Sequence, residues 1–154
     1  MELRMPKFMW RLMMMGPKTL YRVGLGRIIG GRVLLLTTIG RVSGLPRATP
    51  LQYERIAGAY IIGSARGLDA DWVKNTLKEP RVDLQVGGDQ IKAIGRVISD
   101  PDEVAEFLEQ RFANHPFFIK LMFWLQGYRG QLNRATFVQY ARKRAIVELT
   151  PLEN

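Results

Sequence analysis

Six short apolar segments, at 33–38, 48–55, 59–64, 81–86, 90–98 and 145–149, have the length and patterning of β-strands, and they constrain this chain more than any other feature. Turn residues separate neighbours: Gly58 stands between the second and third, and Gly87, Gly88 and Asp89 between the fourth and fifth. Helical patterns occupy the start, the middle and a late stretch. Such strands with helices around them argue for an α+β fold, a small antiparallel barrel with flanking helices. At 154 residues, 47% of them apolar, the chain fills one core comfortably.

The first two strands enclose the most informative loop. After the apolar run Val33, Leu34, Leu35, Leu36 the sequence breaks into Thr37, Thr38, Gly40, Arg41, Ser43, Gly44, Pro46 and Arg47. This large polar loop concentrates hydroxyls, two glycines that let backbone N–H groups approach a ligand, and two guanidinium forks suited to phosphate or carboxylate oxygens. A solvated hairpin turn with its arginines in water is the alternative reading of the same residues.

Leu35, Leu36, Thr37, Thr38, Gly40, Arg41, Ser43, Gly44, Arg47, Pro50 and Leu51 form a signature that resembles the deazaflavin-dependent nitroreductase family. Further on, Ser64, Gly67, Trp72, Asn75 and Leu77 match the family in type and order. Two departures stand out: Val42 replaces the family's lysine, and Ala70 and Asp71 replace its His-Pro pair. The resemblance covers roughly residues 30–100. It implies a split barrel like that of flavin-nucleotide-binding oxidoreductases, spanning residues 31–154, with coenzyme F420 as cofactor ahead of FMN. In that reading Arg41, Ser43, Gly44 and Arg47 hold the phosphate and tail. Thr37, Thr38, Ala48 and Thr49 border the ring, and Ser64, Ala65, Arg66, Gly67 and Trp72 complete its other side. The cofactor carries the chemistry of hydride transfer, so no catalytic acid or base is assigned. The implied activity moves a hydride to a small apolar acceptor such as a quinone or nitroaromatic.

Charge is unevenly placed along the chain. The net charge is +9, yet residues 1–47 hold nine Lys/Arg against one acid, Glu2, and the remainder is close to neutral. Residues 1–30 read as a basic amphipathic segment, with Gly16 and Pro17 splitting 6–29 into two short helices. No apolar run there reaches the roughly 18–20 residues that span a bilayer. The segment suits an anionic membrane surface or packing on protein, including a homodimer contact. A cytoplasmic chain, peripheral on the inner face of the cell membrane, is the expected location. Nucleic acid is not an expected partner, because the basic residues lack interleaved aromatic platforms. A non-enzymatic lipid or fatty-acid carrier on the same scaffold is the alternative function.

There are no cysteines and one histidine, His115, which removes thiol chemistry and an all-protein transition-metal site. Asp69 or Asp71 is expected to cap a helix running to Pro80, and Asp100 one starting at Pro101. The aromatic run from His115 to Leu125 reads as a core helix or, more sharply, as an acceptor pocket with Phe117, Phe118, Phe123 and Trp124 as walls and His115 at its border. Gly127, Gly130 and Asn133 are expected to loosen the chain beyond that run, and Arg142, Lys143 and Arg144 to form a solvated run.

Overall fold

The computed structural model describes residues 32–153; the expected helix pair at 6–29, and with it the segment 1–30, lies outside the described residues. Six strands form the barrel: β1 (Arg32–Ile39), β2 (Pro46–Ile56), β3 (Ala59–Ser64), β4 (Arg81–Val86), β5 (Asp89–Ile98) and β6 (Ala145–Pro151). Every neighbouring pair is antiparallel, in the order β1-β2-β3-β6-β5-β4, and β4 returns to β1 to close the ring. All six strands lie where the apolar segments put them. β2 starts two residues early, at Pro46, so that Arg47 pairs with Thr38 and the loop shrinks to 40–45.

Period-two alternation explains the interior. Leu34 and Leu36 of β1, Val82 and Leu84 of β4, Ala93 of β5, and Val147 and Leu149 of β6 meet Tyr60 and Ile62 inside the barrel. The helix α1 (Asp71–Lys78) belongs to the same cluster, with Val73 fully buried and Ala70 and Trp72 packed beside it. Fully burying one such aliphatic side chain stabilises by about 1.5–3 kcal/mol. A second layer covers the outside of β3, β5 and β6. There Ala59, Ile61, Ile98 and Ile146 pack against α2 (Pro101–Asn114), α3 (Pro116–Leu125) and α4 (Arg134–Ala141). β3 and β6 are therefore covered on both faces, which is why they read as continuous apolar runs.

Three local expectations need correction. The N-cap of α1 is Ala70, with no side-chain hydrogen bond; Asp69 falls in a preceding 3₁₀ turn (Gly67–Asp69) and Asp71 at the first helical position. Only Ile119 and Phe123 of α3 are buried, whereas Phe117 is 80% exposed, so the aromatic run is one helix face and not a core helix throughout. The stretch after Asn133 is helical, because the Asn133 side chain accepts from the Thr136 N–H and starts α4. Asp100 does cap α2, accepting from the N–H groups of Asp102 and Glu103 at 2.8 and 3.2 Å.

Candidate functional site

The turn between β1 and β2 is closed by its own backbone. Gly40 N–H donates to the Leu45 carbonyl, Gly44 N–H to the Gly40 carbonyl, each at 2.8 Å, and Leu45 N–H to Ser43 Oγ at 3.2 Å. Gly44 supplies the positive φ of 70° that the reversal needs. Its N–H is thus already engaged and is not open to an anion. Val42, where the family has lysine, stands 93% exposed at the tip.

Arg41 fastens this turn to α1. Its Nη2 meets Asp71 Oδ1 at 3.0 Å, its Nη1 donates to Asn75 Oδ1 at 2.9 Å, and its backbone N–H donates to the same oxygen at 3.1 Å. From the helix side, Lys78 Nζ donates to the Arg41 carbonyl at 3.0 Å. Asn75, buried against the barrel, also donates from Nδ2 to Thr38 Oγ1 at 3.3 Å. One buried amide therefore ties β1, the turn and α1 together. Sequence reasoning gave Arg41 to a ligand and overlooked Asn75 as a structural residue. The available signal was a polar residue on the apolar face of a short helix.

Asp71 sits in a cationic field. The hydrogen bond from Arg41, and then that guanidinium's charge, hold its carboxyl below the usual carboxylate range, with smaller pulls from Lys74 and Arg66 and a partial counter-effect of burial. A depressed folded-state pKa means that the pair's contribution is present above the unfolded value of about 3.9 and disappears as pH falls through the folded one. The expected outcome is a stability gap between wild type and Asp71→Asn that stays constant above about pH 5 and closes in more acidic solution. Urea midpoints across that range measure it; a gap independent of pH would rule the coupling out.

The β2–β3 ladder holds only three pairs, Glu54↔Ile61, Arg55↔Tyr60 and Ile56↔Ala59. Among the described strands, residues 46–53 of β2 pair with β1 alone, so the β2–β3 ladder is slit along this side. Of the residues assigned to the ring, Thr38 is buried and held by Asn75, while Thr37 pairs with Ala48 on the opposite face of β1 and Thr49 is half-buried. At the end of β3, Ser64 Oγ donates to the Gly67 carbonyl at 2.8 Å and shapes the segment carrying Ala65 and Arg66. Trp72 is half-buried against the barrel interior. Arg47 and Arg66 are exposed, and their guanidinium groups make no hydrogen bond or ion pair among the described residues.

Of the expected acceptor-pocket residues, Phe123 and Trp124 share a cavity, whereas Phe117, Phe118 and His115 do not line it. This cavity, of about 440 Å³, is also lined by Phe112, Tyr128 and Leu132. Phe118 lies under the Arg111 guanidinium, 5.6 Å from ring centre to Cζ, and His115 Nε2 is 3.2 Å from Glu54 Oε1. All five belong to the helical layer, whereas the Arg41 clamp belongs to the barrel end.

Residues 17–122 match the family model described as F420H(2)-dependent quinone reductase. Among solved structures, a conserved hypothetical protein from Mycobacterium tuberculosis is 15% identical over 92% of this chain and 83% of its own, with a TM-score of 0.57. An F420-H2 dependent reductase (FDR-A) is 20% identical over 76% of this chain and 93% of its own, with a TM-score of 0.50. HutZ, the haem storage protein of Vibrio cholerae, is 12% identical over 86% and 89%, with a TM-score of 0.54. At these identities the likenesses show the fold, and one fold can host different ligands. The family match spans more than half of the chain and sets the redox reading above the lipid-carrier alternative. The chain belongs to the F420H(2)-dependent quinone reductase family, and is an oxidoreductase whose cofactor is coenzyme F420.

Proposed function

We propose that this chain passes a hydride from reduced F420 to an apolar acceptor of the quinone or nitroaromatic class, with the cofactor's phosphate at the β1–β2 turn and its ring along the slit beside β2. The observation that carries this reading is the division of labour between arginines. Arg41 is consumed in fixing the turn, while Arg47 and Arg66 stand exposed with their forks unengaged among the described residues. A fixed turn flanked by free guanidinium groups suits a phosphate and a polyanionic tail. The Val42 and Ser43 N–H groups have no partner among the described residues and point to a backbone contribution at the tip. When bound, F420 supplies the hydride; the chain's own part is to hold the tail, orient the ring and exclude water.

Arg41 is accordingly a positioning residue, and Arg47 the one that touches the tail. Arg47→Ala is expected to weaken F420 binding by about 1.5–3 kcal/mol, the range for hydrogen bonds to charged groups, while leaving the melting temperature unchanged. Cofactor fluorescence titration, run beside FMN, measures the first and calorimetry the second. Unaltered affinity in that variant would remove the phosphate from this turn.

On the acceptor side, Trp124 contributes to a cavity large enough for a quinone ring, and Phe118 and His115 support the same layer through Arg111 and Glu54. An anionic membrane surface for residues 6–29 and a homodimer are readings of the same kind. Phe117, Leu121, Trp124 and Leu125 are exposed along α3 at helical spacing, and that stripe favours a partner surface. No helix among the described residues is long and apolar enough to cross a membrane.

A further inference from the structure

α3 has two opposite faces. Ile119 and Phe123 are buried, while Phe117, Leu121, Trp124 and Leu125 stand out from the layer at positions i, i+4, i+7 and i+8. Phe117 is 80% and Trp124 53% exposed, so two large rings meet water in a helix of 10 residues. The core on this side is closed without them, by Phe107, Leu108, Phe123 and Phe137. A contiguous apolar stripe of this kind marks a contact surface.

Charge narrows what that stripe can meet. From Gln110 to Val147 the chain has seven Lys/Arg and no Asp or Glu. Lys120 flanks the stripe, its Nζ 6.0 Å from the Phe112 ring centre, and makes no ion pair among the described residues. Arg129 stands at the far end, its guanidinium 4.7 Å over the Trp124 ring and its Nη1 donating to the Trp124 carbonyl at 2.6 Å. Two nearby acids are engaged elsewhere, Glu54 with Arg111 and His115 and Glu109 with Arg134.

A second copy of this face would set Lys120 and Arg129 against their own counterparts, because a two-fold contact is self-complementary. The first 31 residues are no better matched. They join the barrel at Arg32, which pairs with Tyr53, and the next residue on that strand, Glu54, meets His115 at the N-cap of α3. They are close enough to cover the stripe but are themselves basic, with six Lys/Arg against Glu2. Two adjoining stretches, both apolar with cationic borders, complement a surface that is anionic outside and apolar beneath.

We propose that α3 docks in the interface of an anionic lipid bilayer, with Phe117, Leu121, Trp124 and Leu125 among the acyl chains and Lys120 and Arg129 at the headgroup phosphates. An indole with a polar edge suits the headgroup boundary, and the long stem of Lys120 lets its ammonium reach the phosphates while its carbons stay apolar. Ten residues fall short of the roughly 20 that cross a bilayer, so the helix lies in the membrane plane. One short helix buries little apolar surface, and anionic lipid must supply part of the attraction; lipid charge and salt are therefore the controlling variables. Docking of α3 rests on the stripe being a partner surface and involves none of the residues assigned to F420, so vesicle binding can fail while cofactor binding stands.

The chain has no cysteine, so Phe117→Cys places a single nitrobenzoxadiazole label on the stripe of the full-length protein. Asp89→Cys, at the end of β5 away from Ile98 and the helical layer, is the control. With mixed phosphatidylcholine and phosphatidylglycerol vesicles, emission from position 117 should shift to the blue and be quenched by brominated acyl chains, and emission from position 89 should do neither. Vesicles of phosphatidylcholine alone should bind at least about tenfold more weakly, and added salt should release the bound protein. Phe117→Asp with Leu125→Asp is expected to melt near wild type, because both side chains are already exposed, and to lose at least about tenfold in vesicle affinity. Lys120→Glu should lose roughly tenfold, the effect of reversing one charge at the lipid surface. A label at position 117 that stays aqueous while the protein sediments with vesicles would overturn the proposal, as would unaltered affinity in the double variant. A blue shift that grows with protein concentration in the absence of lipid would assign the stripe to a second copy. An equal shift with polyglutamate would assign it to an acidic protein, and either result would remove the membrane from α3.

Discussion

Replacing Asn75 by alanine is expected to cost about 2–4 kcal/mol of stability and at least about tenfold in F420 affinity, although Asn75 is buried and touches no ligand in the proposed site. The amide oxygen takes two hydrogen bonds from Arg41, one from the backbone and one from the side chain, and the amide nitrogen donates to Thr38. Alanine removes all three bonds at once. It strands the Thr38 hydroxyl, which is 1% exposed, and cuts the turn's main tie to α1. Each stranded buried polar group costs about 1–3 kcal/mol, and a chain of this size loses roughly 2–4 °C of melting temperature per kcal/mol. Thermal unfolding should therefore shift by roughly 5–15 °C. Asn75→Asp is the informative control, because a carboxylate keeps both bonds from Arg41 and can accept in turn from the Thr38 hydroxyl. It should retain most of the stability and affinity that alanine loses. If both variants melt with wild type, the clamp is not a structural tie.

Gly67→Ala is expected to destabilise by about 3 kcal/mol, for two reasons that act on the same atom. Gly67 has φ +58°, a left-handed conformation in which a Cβ crowds its own backbone, and a Cβ built there would stand 2.7 Å from the Lys143 carbonyl oxygen. That oxygen is backbone and cannot rotate away, unlike the Ser43 Oγ that a Cβ at Gly40 would meet. Relief would have to come from shifting the 3₁₀ turn or the approach to β6, and the first option breaks the Ser64 bond to the Gly67 carbonyl. The fall should be roughly 6–12 °C in melting temperature, read by differential scanning calorimetry. Loss of F420 binding should accompany it, since residues 64–67 form the slit's far wall in the proposed site. Gly44→Ala is the contrast: its φ is also positive, but nothing lies within 4 Å of the added methyl, so only the backbone penalty applies. Equal losses at the two glycines would mean that the Lys143 contact carries no weight.

The strands were legible because their faces see different surroundings. Leu34, Leu36, Val82, Leu84, Val147 and Leu149 point into one cluster, and alternation is a local property that a linear sequence carries intact. The Asp100 cap was legible for the same reason, since its bonds reach only two and three residues along. The hairpin loop was legible as a place but not as a set of roles. Arg41 and Arg47 look alike in sequence; one is spent on Asp71 and Asn75, thirty and thirty-four residues away, and the other faces solvent. Asn133 as a helix start was missed because the glycines around it weigh toward a loop; of the three cations at 142–144, Arg142 and Lys143 are exposed as expected, and Arg144 is half-buried over the Tyr140 ring.

By itself, then, the sequence determined the number, order and approximate limits of the strands, the chemistry of the turn and the family to which they belong, all of which depend on contacts between near neighbours. Only the tertiary structure decided which arginine is free, that Asn75 joins β1 to α1, and that Arg111 of α2 meets Glu54 of β2. Those outcomes depend on which distant acceptors and walls the closed barrel brings within about 3 Å of a donor, and a hydrogen bond's free energy is set by that geometry, not by residue type.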